Sequence, residues 1–224
     1  MSTVRRVELP PGLLRSKLLV VLRAPDLDSC LPVIDVLVDE GIGAIELTMT
    51  TPGVLERAPE IVAAYGDRIR IGVGTVTRVG EVEVLADAGV GLLVTPVCLP
   101  DVIVAARERG VAMIAGSLTP TEIWTAWSNG AAAVKVFPAG AVGPRYVADI
   151  HGPFPGLPLV PSGGVGLDDI AAWLSAGAVA VSIGGPLLGD ALHGGSLAGL
   201  RTRAQRAVAA SAQGVDFAAQ RGIR

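Results

Sequence analysis

Residues 128–136, SNGAAAVKV, close a polar stretch at a glycine and then run apolar for the length of one buried strand, interrupted only by Lys135. The same phrase recurs as DEGIGAIEL at 39–47, DAGVGLLVT at 87–95, ERGVAMIAG at 108–116 and SAGAVAVSI at 175–183. In each, helix-forming residues stop at a glycine (Gly41, Gly89, Gly110, Gly130, Gly177) and a short apolar run follows. Glycine suits the left-handed conformation that ends a helix. Near-continuous apolar runs are what parallel strands covered on both faces require. The repeating unit is therefore a helix feeding a parallel strand.

Three further stretches fit the strand slot: KLLVVLR (17–23), IRIGVG (69–74) and LPLVP (157–161). Strand ends then fall near Arg23, Thr48, Gly74, Thr95, Gly116, Phe137, Pro161 and Ile183, spaced 21 to 26 residues apart, with room in each gap for one helix and two short loops. Eight such units fill the 224 residues. The expected fold is α/β, a (β/α)8 TIM barrel, as a single domain over 1–224 with a short N-terminal extension at about 1–16. A doubly wound open sheet is the competing way to arrange the same units.

The formal net charge of −3 carries no basic excess, so no nucleic-acid partner is expected. The uncharged stretch Ile170 to Gly189 is long enough to raise a membrane span, but Gly177, Gly184, Gly185 and Pro186 divide it, and no membrane association is expected. The first residues lack a continuous apolar core and a small-residue cleavage site, so no signal peptide is read there. Cys30 and Cys98 form no C-x-x-C pair and no His/Cys cluster, which fits a reducing cytoplasm and no metal.

Lys135 is the anomaly. Of the 18 Lys and Arg residues only Lys17 and Lys135 are lysines, leaving 16 arginines, so this chain uses Arg where any positive charge suffices. An amine can lose its proton and attack a carbonyl, which a guanidinium cannot do, and burial promotes that loss. Strand alternation sets Lys135 opposite Val134 and Val136, on the face expected to line the barrel interior; the alternative is a tip that snorkels to the rim. Glu46, in AIELTMTTP, is a carboxylate in an otherwise apolar and hydroxylated strand and is expected to face inward too. A buried carboxylate without a partner is costly, so a function or a compensating cation is implied. An amine and a base at one barrel mouth is the equipment of imine chemistry.

Glycine pairs follow strands 7 and 8, in PSGGVG (161–166) and IGGP (183–186). Their backbone N–H groups are candidates for a phosphate site; read without their position they are tight turns. The string TPTE gives a helix start with Thr119 as N-cap, Pro120 first and Glu122 closing a capping box, so Glu122 is read as structural. Trp124 and Trp127 are expected to pack as one helix face. Cys98 reads as an apolar filler, and neither His151 nor His193, both in expected loops, is assigned a role.

Taken together, VLRA on strand 1, IELT on strand 2, GVGTV on strand 3, VTP on strand 4, GSLTPTE from strand 5, VKVFPA on strand 6, PSGGV on strand 7 and SIGGPLL on strand 8 resemble, in order and spacing, the class I aldolases of 2-keto-3-deoxy-6-phosphogluconate (KDPG), which also act on 4-hydroxy-2-oxoglutarate. The resemblance implies that Lys135 forms a Schiff base with the C2 ketone of a 2-oxo acid and that Glu46 is the general acid/base. It further implies that Thr75 helps hold the carboxylate, that Pro96 and Phe137 shape the pyruvyl pocket, and that Gly163, Gly164, Gly184 and Gly185 supply phosphate-binding backbone. The products implied are pyruvate with glyceraldehyde 3-phosphate or glyoxylate, with no metal or cofactor, in a homotrimer.

Two departures bear on the substrate. Relatives often carry Arg where this chain has Thr50, and Arg23 at the end of strand 1 is the expected replacement; relatives often have Ser where this chain has Pro186, which lacks both hydroxyl and N–H. Val97 stands where a glycine is frequent. The competing readings are a phosphate-binding isomerase or epimerase using Glu46 without covalent chemistry, and a barrel that binds a small acid without turnover.

Overall fold

A computed structural model describes residues 4–220. Eight parallel strands run β1 (Leu18–Leu22), β2 (Ala44–Thr48), β3 (Arg70–Gly74), β4 (Leu92–Val94), β5 (Ala112–Ser117), β6 (Ala133–Val136), β7 (Leu159–Pro161) and β8 (Val181–Ile183). Each pairs with the next through β7, and β8 pairs with β1. The ring closes between β7 and β8 through a bridge at Ser162 and Ser182, whose hydroxyls hydrogen-bond at 3.1 Å. The Val179 N–H adds a bond to the Leu159 carbonyl at 3.0 Å. This is the (β/α)8 barrel, and the open sheet is excluded by that closure.

The barrel has two apolar layers. Outward strand residues such as Val20, Ile45, Leu47, Val73, Leu93, Val134 and Val136 pack against the surrounding helices. Inward residues Leu19, Ala44, Leu92, Val94, Ala112, Ile114, Ala133, Val160 and Ala180 form a separate interior cluster. The jacket includes α2 (Leu31–Asp39), α3 (Val54–Tyr65), α4 (Val79–Asp87), α5 (Pro100–Glu108), α6 (Pro120–Ser128), α7 (Arg145–His151), α8 (Ile170–Ser175) and the long C-terminal α10 (Leu197–Gln220). A short α9 (Gly185–Leu188) follows β8.

Ahead of β1, α1 (Pro11–Ser16) closes the bottom of the barrel. Leu13 is fully buried, and with Leu9 it joins the interior cluster from below. The approach is close enough that a Cβ on Gly43 would lie 1.9 Å from the Gly12 carbonyl oxygen. The segment expected as an N-terminal extension is thus the barrel's floor from Leu9 onward; residues 1–3 of that extension, and 221–224 of the single domain, lie outside the described residues.

Local expectations hold where the signal is local. The Thr119 hydroxyl accepts from the Glu122 N–H at 3.3 Å, and the Thr119 N–H donates to the Glu122 carboxylate at 2.8 Å. The stretch 170–189 is divided among α8, β8 and α9, and among the described residues no helix is long and apolar enough to cross a membrane. The tryptophans of α6 share one face, both lining a hollow with Arg6 and Phe154: Trp127 packs on the core beneath the Arg6 guanidinium, and Trp124, 41% exposed, stacks on Phe154. Their three-residue spacing makes them neighbours on the helix surface, as expected.

Candidate active site

Strand alternation builds the site. On β6, Ala133 and Lys135 point inward while Val134 and Val136 point to the helices. On β2, Ala44 points inward and Glu46 sits one inward position higher, with its neighbours Ile45 and Leu47 in the outer layer. The two charged side chains therefore meet inside the barrel from opposite arcs of the ring. Lys135 Nζ lies 3.9 Å from Glu46 Oε2, and the two side chains are 9% and 2% exposed.

Glu46 Oε2 has no hydrogen-bond partner among the described residues, so its main support is the Lys135 charge. Burial pushes the Glu46 carboxyl above the usual carboxylate range, and the charges of Lys135 and then Arg23 pull it back in part. A carboxyl raised in this way is a stronger base than an ordinary carboxylate, which suits a group that takes up and returns protons.

Two glycines that sequence reasoning passed over make the room. A Cβ on Gly74 of β3 would fall 1.8 Å from Glu46 Oε1, so only glycine leaves space for that carboxylate. Gly116, in register with Lys135 across β5 and β6, would bring a Cβ within 2.4 Å of the Pro96 carbonyl oxygen. The Thr95 hydroxyl fixes that crossing by donating to the Val97 carbonyl at 2.7 Å and accepting from the Gly116 N–H at 3.0 Å. The available signal was glycine at inward positions of otherwise apolar strands, which marks close approach.

The remaining candidates follow the C-terminal ends of the strands. Thr75, just past β3, has φ 63°, a left-handed conformation that a β-branched residue rarely adopts. Pro96 follows β4 and is half-buried. Phe137 follows β6, is 40% exposed, and places its ring centroid 5.3 Å from Lys135 Nζ. Gly163 and Gly164 follow β7 in left-handed conformations. Arg23, Gly184 and Gly185 meet at the β1/β8 side of the mouth and line one cavity of ≈ 320 Å³. His193, which was given no role, lines the same cavity, whereas His151 is held by the Leu157 carbonyl at 2.9 Å, away from the mouth.

Thr50 reaches back instead of out: its hydroxyl lies 3.0 Å from that of Thr48, the next inward position above Glu46. Burial pushes the Cys30 thiol up to about 12 and raises that of Cys98, as expected of packing residues rather than nucleophiles.

The sequence model of one family, described as "Aldolase: KDPG and KHG aldolase", matches residues 12–199. This chain belongs to that family. It is 35% identical over 171 residues to the 2-dehydro-3-deoxy-6-phosphogalactonate aldolase of Escherichia coli K12, covering 76% of this chain and 83% of that one. Among solved structures, one described as native KDPGal superposes with a TM-score of 0.83 at 32% identity, covering 96% of this chain and 100% of the other. A cube-shaped protein cage designed by fusing symmetric oligomeric domains matches at TM-score 0.83 and 32% identity, over 92% of this chain and 75% of that one. As a KDPG/KHG-family protein the chain is a lyase of the aldolase type.

Proposed function

We propose that this aldolase works through a Schiff base on Lys135, cleaving a 2-keto-3-deoxy-6-phosphosugar acid to pyruvate and glyceraldehyde 3-phosphate and/or 4-hydroxy-2-oxoglutarate to pyruvate and glyoxylate. The observation that carries the reading is the buried pair of Lys135 and Glu46 at 3.9 Å, the one amine in the interior beside the one interior carboxylate among the described residues. The Lys135 amine attacks the C2 ketone to give a carbinolamine, and loss of water, with Glu46 moving the protons, gives the iminium. Glu46 then takes the C4 hydroxyl proton, C4 leaves as the aldehyde, and the electron pair of the broken C3–C4 bond passes into the iminium to form the enamine. Protonation at C3 and hydrolysis return pyruvate and the free amine. The iminium is the electron sink, so the reading calls for no metal or cofactor.

Thr75 and Arg23 hold anionic substrate groups, Pro96 and Phe137 wall the pyruvyl part, and the backbone of Gly163, Gly164, Gly184 and Gly185 receives the phosphate. An isomerase using Glu46 alone leaves Lys135 without work, and a silent binder leaves both groups without work. The enzyme is proposed to be a single-domain cytoplasmic protein, which its two free cysteines suit, and a homotrimer, which its likeness to a cage component built from symmetric oligomeric domains supports. The test is direct: pyruvate released from each of the two substrate classes, measured with a coupled dehydrogenase assay, together with the mass in solution by light scattering. Release from either class upholds the activity; release from neither sinks it.

A further inference from the structure

The two glycine pairs at the mouth are glycine for different reasons. Gly163 has φ 78°, and a Cβ there would lie 2.7 Å from the Phe137 ring; Gly164 has φ 81°, and its Cβ would lie 2.9 Å from Gly140 Cα. Backbone conformation and packing together explain both. Gly185 is outside the left-handed region, and a Cβ on it would meet nothing within 4 Å. Neither strain nor crowding asks for glycine there; what the residue preserves is open space in the cavity it shares with Arg23, Gly184 and His193.

That space is walled by unspent donors. Among the described residues neither the Arg23 guanidinium nor the His193 imidazole has a hydrogen bond or an ion pair, in contrast to His151. Pro186, the second residue of α9, offers neither N–H nor hydroxyl, so on the β8 side the further donors within reach of an anion seated against Gly184 and Gly185 are the side chains that line this cavity. The carboxylate of a 2-oxo acid is one bond from the carbon bound to Lys135 and stays near it. The anionic group that can reach the β8 rim is the one at the other end of the substrate.

We propose that His193 is a substrate-binding residue: its ring N–H, beside Arg23, grips the terminal phosphate of the phosphorylated substrate and supplies the donor that Pro186 lacks. This rests on the aldolase reading above. The test compares kcat/KM for the phosphorylated sugar acid with that for 4-hydroxy-2-oxoglutarate in the parent chain, His193→Ala and His193→Gln. In His193→Ala the ratio should fall about tenfold, the scale of one charge-assisted hydrogen bond, carried by KM, with inorganic phosphate weakened as a competitor to match. His193→Gln, which keeps an N–H donor, should recover part of it. A ratio unmoved by His193→Ala, or a parent ratio near one, overturns the proposal. Parent protein that fails to form a reducible pyruvate adduct sinks the aldolase reading itself; an adduct together with an unmoved ratio sinks only the role of His193.

Discussion

The lower and upper halves of the barrel interior are built from the same inward-facing strand positions but to opposite rules. Below, Leu19, Ala44, Leu92, Ala112 and Ala133, plugged by Leu9 and Leu13, make a buried apolar stack. One inward step up on β2 and β6, the same alternation delivers Glu46 and Lys135, a charged pair whose carboxylate lacks any hydrogen-bond partner among the described residues. The lower half contributes stability: fully burying a side chain such as Leu13 is worth about 1.5–3 kcal/mol. The upper half contributes little or works against it, because desolvating two charges offsets what their attraction returns. Under the proposed mechanism such an arrangement persists for its chemistry, with the stack below keeping it in place.

Substitutions can separate the halves. The largest effect is expected of Lys135→Arg, which keeps a charge near Glu46 but removes the usable amine: turnover should drop by at least about a thousandfold in the pyruvate-release assay, and substantial residual activity would mean the imine is not the route. Glu46→Gln is expected to lower kcat by about 10²–10⁴, the range of general acid/base catalysis, with KM changed far less. Gly74→Ala should follow, losing activity by about one to two orders of magnitude and destabilising the fold by about 1–3 kcal/mol, since its methyl group and the Glu46 carboxylate claim the same volume. In the lower half Leu13→Ala should cost about 2–5 kcal/mol by denaturant titration while kcat per folded molecule stays near that of the parent, the reverse signature. The smallest effect concerns pH. With the Glu46 carboxyl raised in the folded state, the folded protein holds that proton longer than the unfolded chain; its share of stability is complete below the ordinary carboxylate range and is lost as pH climbs through the raised value. Glu46→Gln should flatten that part of the stability–pH curve, and an identical slope in both proteins would contradict the assigned direction.

What could be read from the chain follows the range of each interaction. The helix–glycine–strand phrase is local, and eight strands of about the required spacing leave few ways to close, so the barrel was legible. Lys135 and Glu46 were legible because strand parity alone decides which face they occupy. The floor was not: PGLLRS is six residues, too short to display a helical period, and its purpose depends on the barrel it plugs. Gly74 was hidden because the atom that forbids a side chain there belongs to Glu46 on the neighbouring strand. His193 was hidden for a similar reason, since only the turn beyond α9 brings it back beside Arg23.

The central claim is that Lys135 is the covalent nucleophile, and the most direct measurement is borohydride reduction in the presence of pyruvate followed by peptide mass mapping. The account predicts one stable adduct per chain, on Lys135, absent from Lys135→Arg. A folded protein that yields no adduct, or yields one on Lys17 instead, would contradict it.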